Sequence, residues 1–211
     1  MRLLELFSGT KGVSKVAKSL GWETVSLDIS PKYNPDLCMD ILNFDETQYP
    51  KDYFDFVWAS PDCRAYSSAR TTATIDRETA MELSDRLVSK TINIIQYFAA
   101  PYCVENPAFS RLWKREVATS LIDFCVITSY CSYGYAYRKN TRIASNFPLV
   151  LPRCPGTGLC PQMIGKRHCE HAQKAGGGHA PRYKSTDDLH RIPEALVLEI
   201  FRQLNAGSNS V

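Results

Sequence analysis

The sequence predicts an α/β protein: a doubly wound sheet flanked by helices. Three observations carry that prediction. Short, nearly continuous apolar runs recur at residues 3–6, 53–59 and 102–104, as buried parallel strands do. Segments of helical period separate them, after residue 12, over Arg77–Phe98 and again from Ile192. The first run leads into Phe7-Ser8-Gly9-Thr10-Lys11-Gly12 and then into Val13, Val16, Ala17 and Leu20, with Gly21 as a stop. Strand, glycine turn and helix, in that order, form the nucleoside- or phosphate-binding opening of doubly wound folds.

With 211 residues the chain can bury a substantial core as one domain. A hydrophobic content of 44% excludes a disordered chain. No run reaches the length of a membrane span and no secretory signal opens the chain, so no membrane partner is expected. A net charge of +3 permits nucleic-acid binding without demonstrating it. Of eight cysteines, Cys38, Cys63, Cys103, Cys125 and Cys131 fall in apparent strands or at their ends, and the other three cluster late. That pattern fits a reduced, intracellular protein, cytoplasmic or nuclear, with a metal site better than a disulfide framework.

In chain order, Glu5 interrupts the first apolar run. Residues 23–27 read as the second strand, ending at Asp28-Ile29. An acid at that tip, about twenty residues past the glycine turn, is placed to accept hydrogen bonds from ribose hydroxyls. After a short run at 37–39 come Asp40 and Ile41, a carboxylate and an aliphatic side chain suited to an adenine amino group and ring. Either acid alone would read as a solvated turn residue, and a lone Gly-x-x-Gly as a structural turn. Together they suggest an adenosine-type cofactor.

The fourth strand, 53–59, runs into Ser60-Pro61-Asp62-Cys63. Proline breaks the ladder, and a thiol just past a strand's carboxyl end lies where open α/β sheets bind ligands. The competing reading is a buried cysteine acting as a small hydrophobe. Residues 64–77, with Arg64, Arg70 and Arg77, read as a loop able to close over a substrate. The helix over Arg77–Phe98 presents Leu83, Leu87, Ile94, Ile95 and Phe98 on one face. Tyr102-Cys103-Val104 then delivers Glu105-Asn106-Pro107, a second reactive group at a strand's end. Glu105 either protonates or anchors a substrate beside Cys63, or pairs with Arg111 or Arg115. Residues 121–129 read as a strand, and 133–146 as a hairpin loop and strand, basic with interleaved tyrosines, a mixture that suits nucleic acid.

Cys154, Cys160, Cys169 and His171 form a four-ligand set for a tetrahedral structural zinc, with His168 and His179 as alternative imidazoles. Such a site would staple a Gly- and Pro-rich segment that has little core of its own. The basic, glycine-rich stretch 165–184 is a mobile loop or a nucleic-acid contact. Ile192-Pro193-Glu194 opens a closing helix with Leu196, Ile200 and Leu204 on its apolar face.

Phe7-Ser8-Gly9-Thr10, Ser60-Pro61-Asp62-Cys63, Glu105-Asn106-Pro107, the 138–142 segment and the closing Ile192-Pro193 helix occur in the order found in one family. The chain resembles the S-adenosylmethionine-dependent cytosine-C5 methyltransferases, in the compact form of viruses and phages. The resemblance implies a Rossmann-like methyltransferase sheet formed by residues 1–147 and 188–205, with 148–187 as a small Cys/His-rich insertion in place of the target-recognition domain. It implies that Cys63 adds to cytosine C6, that Glu105 bonds N3 and the 4-amino group, and that Arg142 bonds O2. It places Phe7, Ser8, Gly9, Thr10, Gly12 and Pro61 around S-adenosylmethionine, with Asp28 and Ile29 at its ribose and Asp40 and Ile41 at its adenine. The implied substrate is cytosine flipped from DNA, with RNA or a free nucleotide as the alternative; a weakened nucleic-acid-binding module is the non-enzymatic one. The chain departs from the family at Asp62, where proline is usual, at Lys11 in the glycine turn, and at Arg138-x-Asn140-x-Arg142, where only the last arginine carries over. A carboxylate at 62 should disfavour the Cys63 thiolate.

Overall fold

The computed structural model describes residues 1–67, 76–121, 124–170, 187–188 and 191–208. Seven strands form one sheet: β1 (Arg2–Leu6), β2 (Glu23–Asp28), β3 (Leu37–Cys38), β4 (Phe56–Ala59), β5 (Tyr102–Pro107), β6 (Phe124–Ser129) and β7 (Asn140–Ser145). Their order is β3-β2-β1-β4-β5-β7-β6. The first five are parallel; β7 enters antiparallel between β5 and β6, so the two halves of the β6–β7 hairpin reach different neighbours. The order reverses between β1 and β4, which opens a crevice at their carboxyl ends.

Helices cover both faces. α1 (Gly12–Ser19) and the last helix, α3 (Glu194–Ser208), pack together on one face, and α2 (Arg77–Phe98) covers the other. Strand period two sends alternate residues of β1 and β4 into two separate cores. Leu3, Phe56 and Trp58 join Val16, Leu196, Ile200 and Phe201, whereas Leu4, Leu6, Val57 and Ala59 join Val88, Ile95 and Phe98. The expected apolar face of α3 is buried at Leu196, Ile200 and Leu204.

Three local expectations need correction. β4 begins at Phe56 rather than at residue 53. Residues Glu116–Leu121 form a 3-10 segment, so β6 begins at Phe124 rather than at residue 121. Leu83 is 49% exposed, because α2 buries Ala80, Met81, Val88, Ile92 and Ile95, and two residues past Met81 a helix has turned about 200°. A two-stranded hairpin, β8 (Met163–Ile164) with β9 (Arg167–His168), stands between β7 and α3. No described helix is long and apolar enough to cross a membrane.

Candidate active site and Cys/His cluster

A cavity of about 570 Å³ opens at the carboxyl ends of β1, β2, β4 and β5. Phe7, Ser8, Gly9, Thr10, Gly12, Asp28, Ile29, Pro61, Cys63 and Glu105 all line it. The turn after β1 is tight: the Ser8 amide donates to the Leu27 carbonyl and the Lys11 amide to the Ser8 carbonyl. Gly9 holds φ 45° with open space where a Cβ would project, so the backbone can meet a ligand closely. Lys11 adopts the left-handed conformation, φ 56°, at a cost of about 1 kcal/mol for a residue with a side chain. Its ammonium is tethered to the Asn34 carbonyl at 2.6 Å.

Asp28 clasps this turn. One carboxylate oxygen accepts from the Gly9 amide and the other from the Ser30 amide, each at 2.8 Å. Asp40 and Ile41 are placed otherwise than expected and do not line the cavity. Asp40 caps a short 3-10 turn by accepting from the Leu42 amide, and Ile41 is in the core. Glu5 was missed as a site residue. It lines the cavity, is 3% exposed, and accepts from the Val13 and Ser14 amides at the start of α1. The available signal was an acid inside an apolar strand just before the glycine turn.

Cys63 and Glu105 come from adjacent parallel strands, β4 and β5, and face the same cavity. The loops are tied by Asn106 Nδ2, which donates to the Pro61 carbonyl at 2.8 Å. Glu105 is 6% exposed and accepts from Thr141 Oγ1. Burial pushes the Cys63 thiol above its ordinary range, and the Glu105 carboxylate adds to that; Lys139 opposes them, and Asp62 contributes less. Asp62 is weakened as a perturber because Arg64 binds it, at 2.6 Å.

The buried Tyr66 anchors the Cys63 loop. Its hydroxyl donates to Asp85 on α2 at 2.8 Å, and Arg115 closes on the same carboxylate at 2.6 Å. Asp85→Ala leaves the buried Tyr66 hydroxyl without its acceptor and Arg115 with Glu78 alone. It should lower stability by about 2 kcal/mol in urea unfolding and slow any chemistry at Cys63.

On β7, Thr141 and Arg142 diverge because successive residues face opposite sides. Thr141 reaches Glu105, whereas Arg142 lies over the Trp113 ring, 5.2 Å from its centroid, and does not line the cavity. Of the basic 138–142 segment it is Lys139 that lines the cavity, with Arg64 and Arg191 contributed from elsewhere in the chain.

Cys131, Cys154, Cys160 and His168 form a second cluster, with their ligand atoms all within 4.8 Å of one another. His168 Nε2 is 3.4 Å from Cys154 Sγ and 3.7 Å from Cys160 Sγ, against about 3.6 Å for an S–N edge around tetrahedral zinc. One of the expected ligands is therefore corrected. Cys169 is exposed and outside the group, and Cys131 takes the third thiol position. His171, with His179, lies outside the described residues, and among the described ones His168, the alternative imidazole, joins the group. A strand-end cysteine far upstream could not be recognised as a ligand from spacing.

Sheet order, glycine turn and end-of-strand thiol together define an α/β protein of methyltransferase architecture. The fold matches the S. pombe Dnmt2 methyltransferase, with a TM-score of 0.50 and 15% identity over 71% of this chain and 53% of that one. It also matches the Entamoeba histolytica methyltransferase EhMeth, with a TM-score of 0.54 and 15% identity over 72% of this chain and 56% of that one. The chain thus spans about half the length of those two proteins. No protein-family model matches it. A Frog virus 3 (isolate Goorha) protein named "Probable DNA (cytosine-5)-methyltransferase" is 31% identical, over 95% of this chain and 98% of the relative. The chain belongs to the DNA (cytosine-5)-methyltransferase family.

Proposed function

We propose that the chain transfers a methyl group from S-adenosylmethionine to C5 of cytosine in DNA through a covalent bond from Cys63 to C6. The observation that carries this is the meeting of Cys63 and Glu105 with the glycine turn and Asp28 around one cavity. The cavity suits a polar nucleoside: Ser8 and Asn106 line it, and Ser8 Oγ and Asn106 Oδ1 are buried without a hydrogen-bond partner among the described residues. When bound there, S-adenosylmethionine supplies an electrophilic methyl group on a sulfonium. Phe7, Ser8, Gly9, Thr10 and Gly12 would hold it from the β1 turn, with Asp28 and Ile29 at its ribose and Pro61 beside it.

The protein's own steps follow from placement. Cys63 Sγ gives its proton to solvent and adds as the thiolate to C6, N3 takes up a proton, and the ring becomes enamine-like, nucleophilic at C5. Glu105 holds the base through N3 and the 4-amino group, with Thr141 fixing its carboxylate. Methylation at C5, loss of the C5 proton and expulsion of Cys63 restore the ring. We assign the contact to the base's O2 to Lys139, not Arg142. A base in duplex DNA would leave the stack to reach Cys63, costing a few kcal/mol. We read the Cys/His cluster as a closed structural zinc site, since three thiols and an imidazole at these spacings suit tetrahedral zinc.

Incubation with S-adenosylmethionine and a DNA duplex containing 5-fluorocytosine tests the reading, because fluorine at C5 blocks the elimination step. A denaturant-stable protein–DNA complex is expected. A complex with RNA alone would move the substrate class, and no complex with any nucleic acid would leave a binding module.

A further inference from the structure

The Cys/His cluster is assembled from both sides of the insertion boundary. Cys131 belongs to the 3-10 turn Tyr130–Tyr133 after β6, whereas Cys154, Cys160 and His168 lie in the insertion. That turn also serves the active cavity. Tyr130, the residue before Cys131, is fully buried, and its hydroxyl accepts from Lys139 Nζ at 3.2 Å. The same ammonium lies 4.6 Å from the centroid of the Tyr130 ring. Tyr130 therefore holds one of the cations that line the cavity with Cys63.

Further bonds run in the same direction. The Cys154 amide donates to Ser129 Oγ at 3.1 Å, and Ser129 Oγ donates to Asn140 Oδ1 at 2.8 Å. The Glu170 amide, two residues past His168, donates to the Ala136 carbonyl at 3.0 Å. The metal-ligand segments thus grip the 129–140 connection at its start, middle and end. Among the described residues no such hydrogen bond reaches the glycine turn or Asp28, which hold the other end of the cavity.

We propose that a zinc ion on Cys131, Cys154, Cys160 and His168 positions the Tyr130–Lys139 pair, making capture of the base metal-dependent while cofactor binding is not. The inference rests on the zinc and methyl-transfer readings above. Without the ion, three neighbouring sulfurs have nothing to bridge them, and Cys131 is released together with the turn that carries Tyr130. Lys139 is then a base-facing residue, and Tyr130 and the metal ligands are positioning residues.

The test uses the full chain. Wild type should carry one zinc by elemental analysis. Cobalt exchanged for it should show thiolate-to-cobalt charge-transfer absorption, which Cys131→Ala abolishes and Cys169→Ala retains. Cys131→Ala should bind S-adenosylmethionine within about twofold of wild type, exchange amide hydrogens faster over 129–140, and lose about 10- to 100-fold in kcat, as loss of a metal-site supporting contact does. Lys139→Met should keep its zinc and reproduce the fall in kcat. Should Cys131→Ala fail to fold, wild type stripped by a chelator and reloaded with zinc gives the same comparison. A wild type without zinc, zinc retained by Cys131→Ala, or zinc loss with unchanged exchange over 129–140 overturns the proposal. If wild type methylates no nucleic acid, the methyl-transfer reading fails separately, and zinc content with hydrogen exchange still decides the positioning role.

Discussion

Replacing Cys63 with alanine should leave a folded protein that binds S-adenosylmethionine and transfers no measurable methyl group. The loss should be on the order of 10⁴-fold or more, as when a covalent nucleophile is removed from an otherwise intact site. Folding should survive because Cys63 contributes little to either core, and Asn106, Tyr66 and Asp85 hold its loop without it. The wild-type rate should carry a pH signature. Burial and the Glu105 carboxylate keep the thiol protonated beyond its ordinary range, so the thiolate fraction at neutral pH is small. Single-turnover methyl transfer should therefore rise with pH through neutrality and continue to rise past about pH 8.5, where a free thiol would level off. Asp62→Asn should change the rate by less than about threefold, since Arg64 already binds that carboxylate and burial dominates. A rate independent of pH between 6 and 9 would sink the thiolate argument.

What the sequence made legible was local. The strand, glycine turn and helix at residues 2–19 announce themselves through apolar runs and punctuation, and the structure forms β1, the turn and α1 there. Cys63 and Glu105 were legible because each follows an apolar strand and meets a proline nearby. Arg142 was not. Two adjacent residues on one strand face opposite sides, so deciding between Arg142 and its neighbours required the register of β7 on β5. Asp40 looked like a ligand because an acid before an aliphatic residue reads alike in a binding edge and in a helix cap. Cys131 looked like core because its partners are far along the chain, and only the fold brings the turn after β6 against the insertion. The Lys11 departure is explained by an αL backbone and a tether, neither of which a substitution pattern displays.

Glu5 carries the largest effect expected on stability. Its carboxylate accepts two amides at the start of α1, and the helix dipole favours its charge. Burial outweighs both and raises its pKa from 4.5 to about 7. Between those two values the native protein keeps a proton that the unfolded chain has released. Stability from this group is therefore fully present below about pH 4.5 and is lost as pH rises to about 7. At about 1.4 kcal/mol per pH unit the loss approaches ~3 kcal/mol. Glu5→Gln should flatten the fall in urea-measured stability over this window. Its neutral amide can accept from one of the two α1 amides but turns a donor toward the other, so it should also be less stable than wild type at pH 5. Because Glu5 lines the cavity, the ammonium of a bound S-adenosylmethionine would favour its ionised form. Cofactor binding at pH 6 should then release protons, visible as a binding enthalpy that varies with the buffer's ionisation enthalpy, and Glu5→Gln should remove that variation. An unfolding free energy in wild type that does not fall between pH 5 and 7, relative to Glu5→Gln, would show that the carboxylate is ionised throughout and that the two amides, not burial, set its charge.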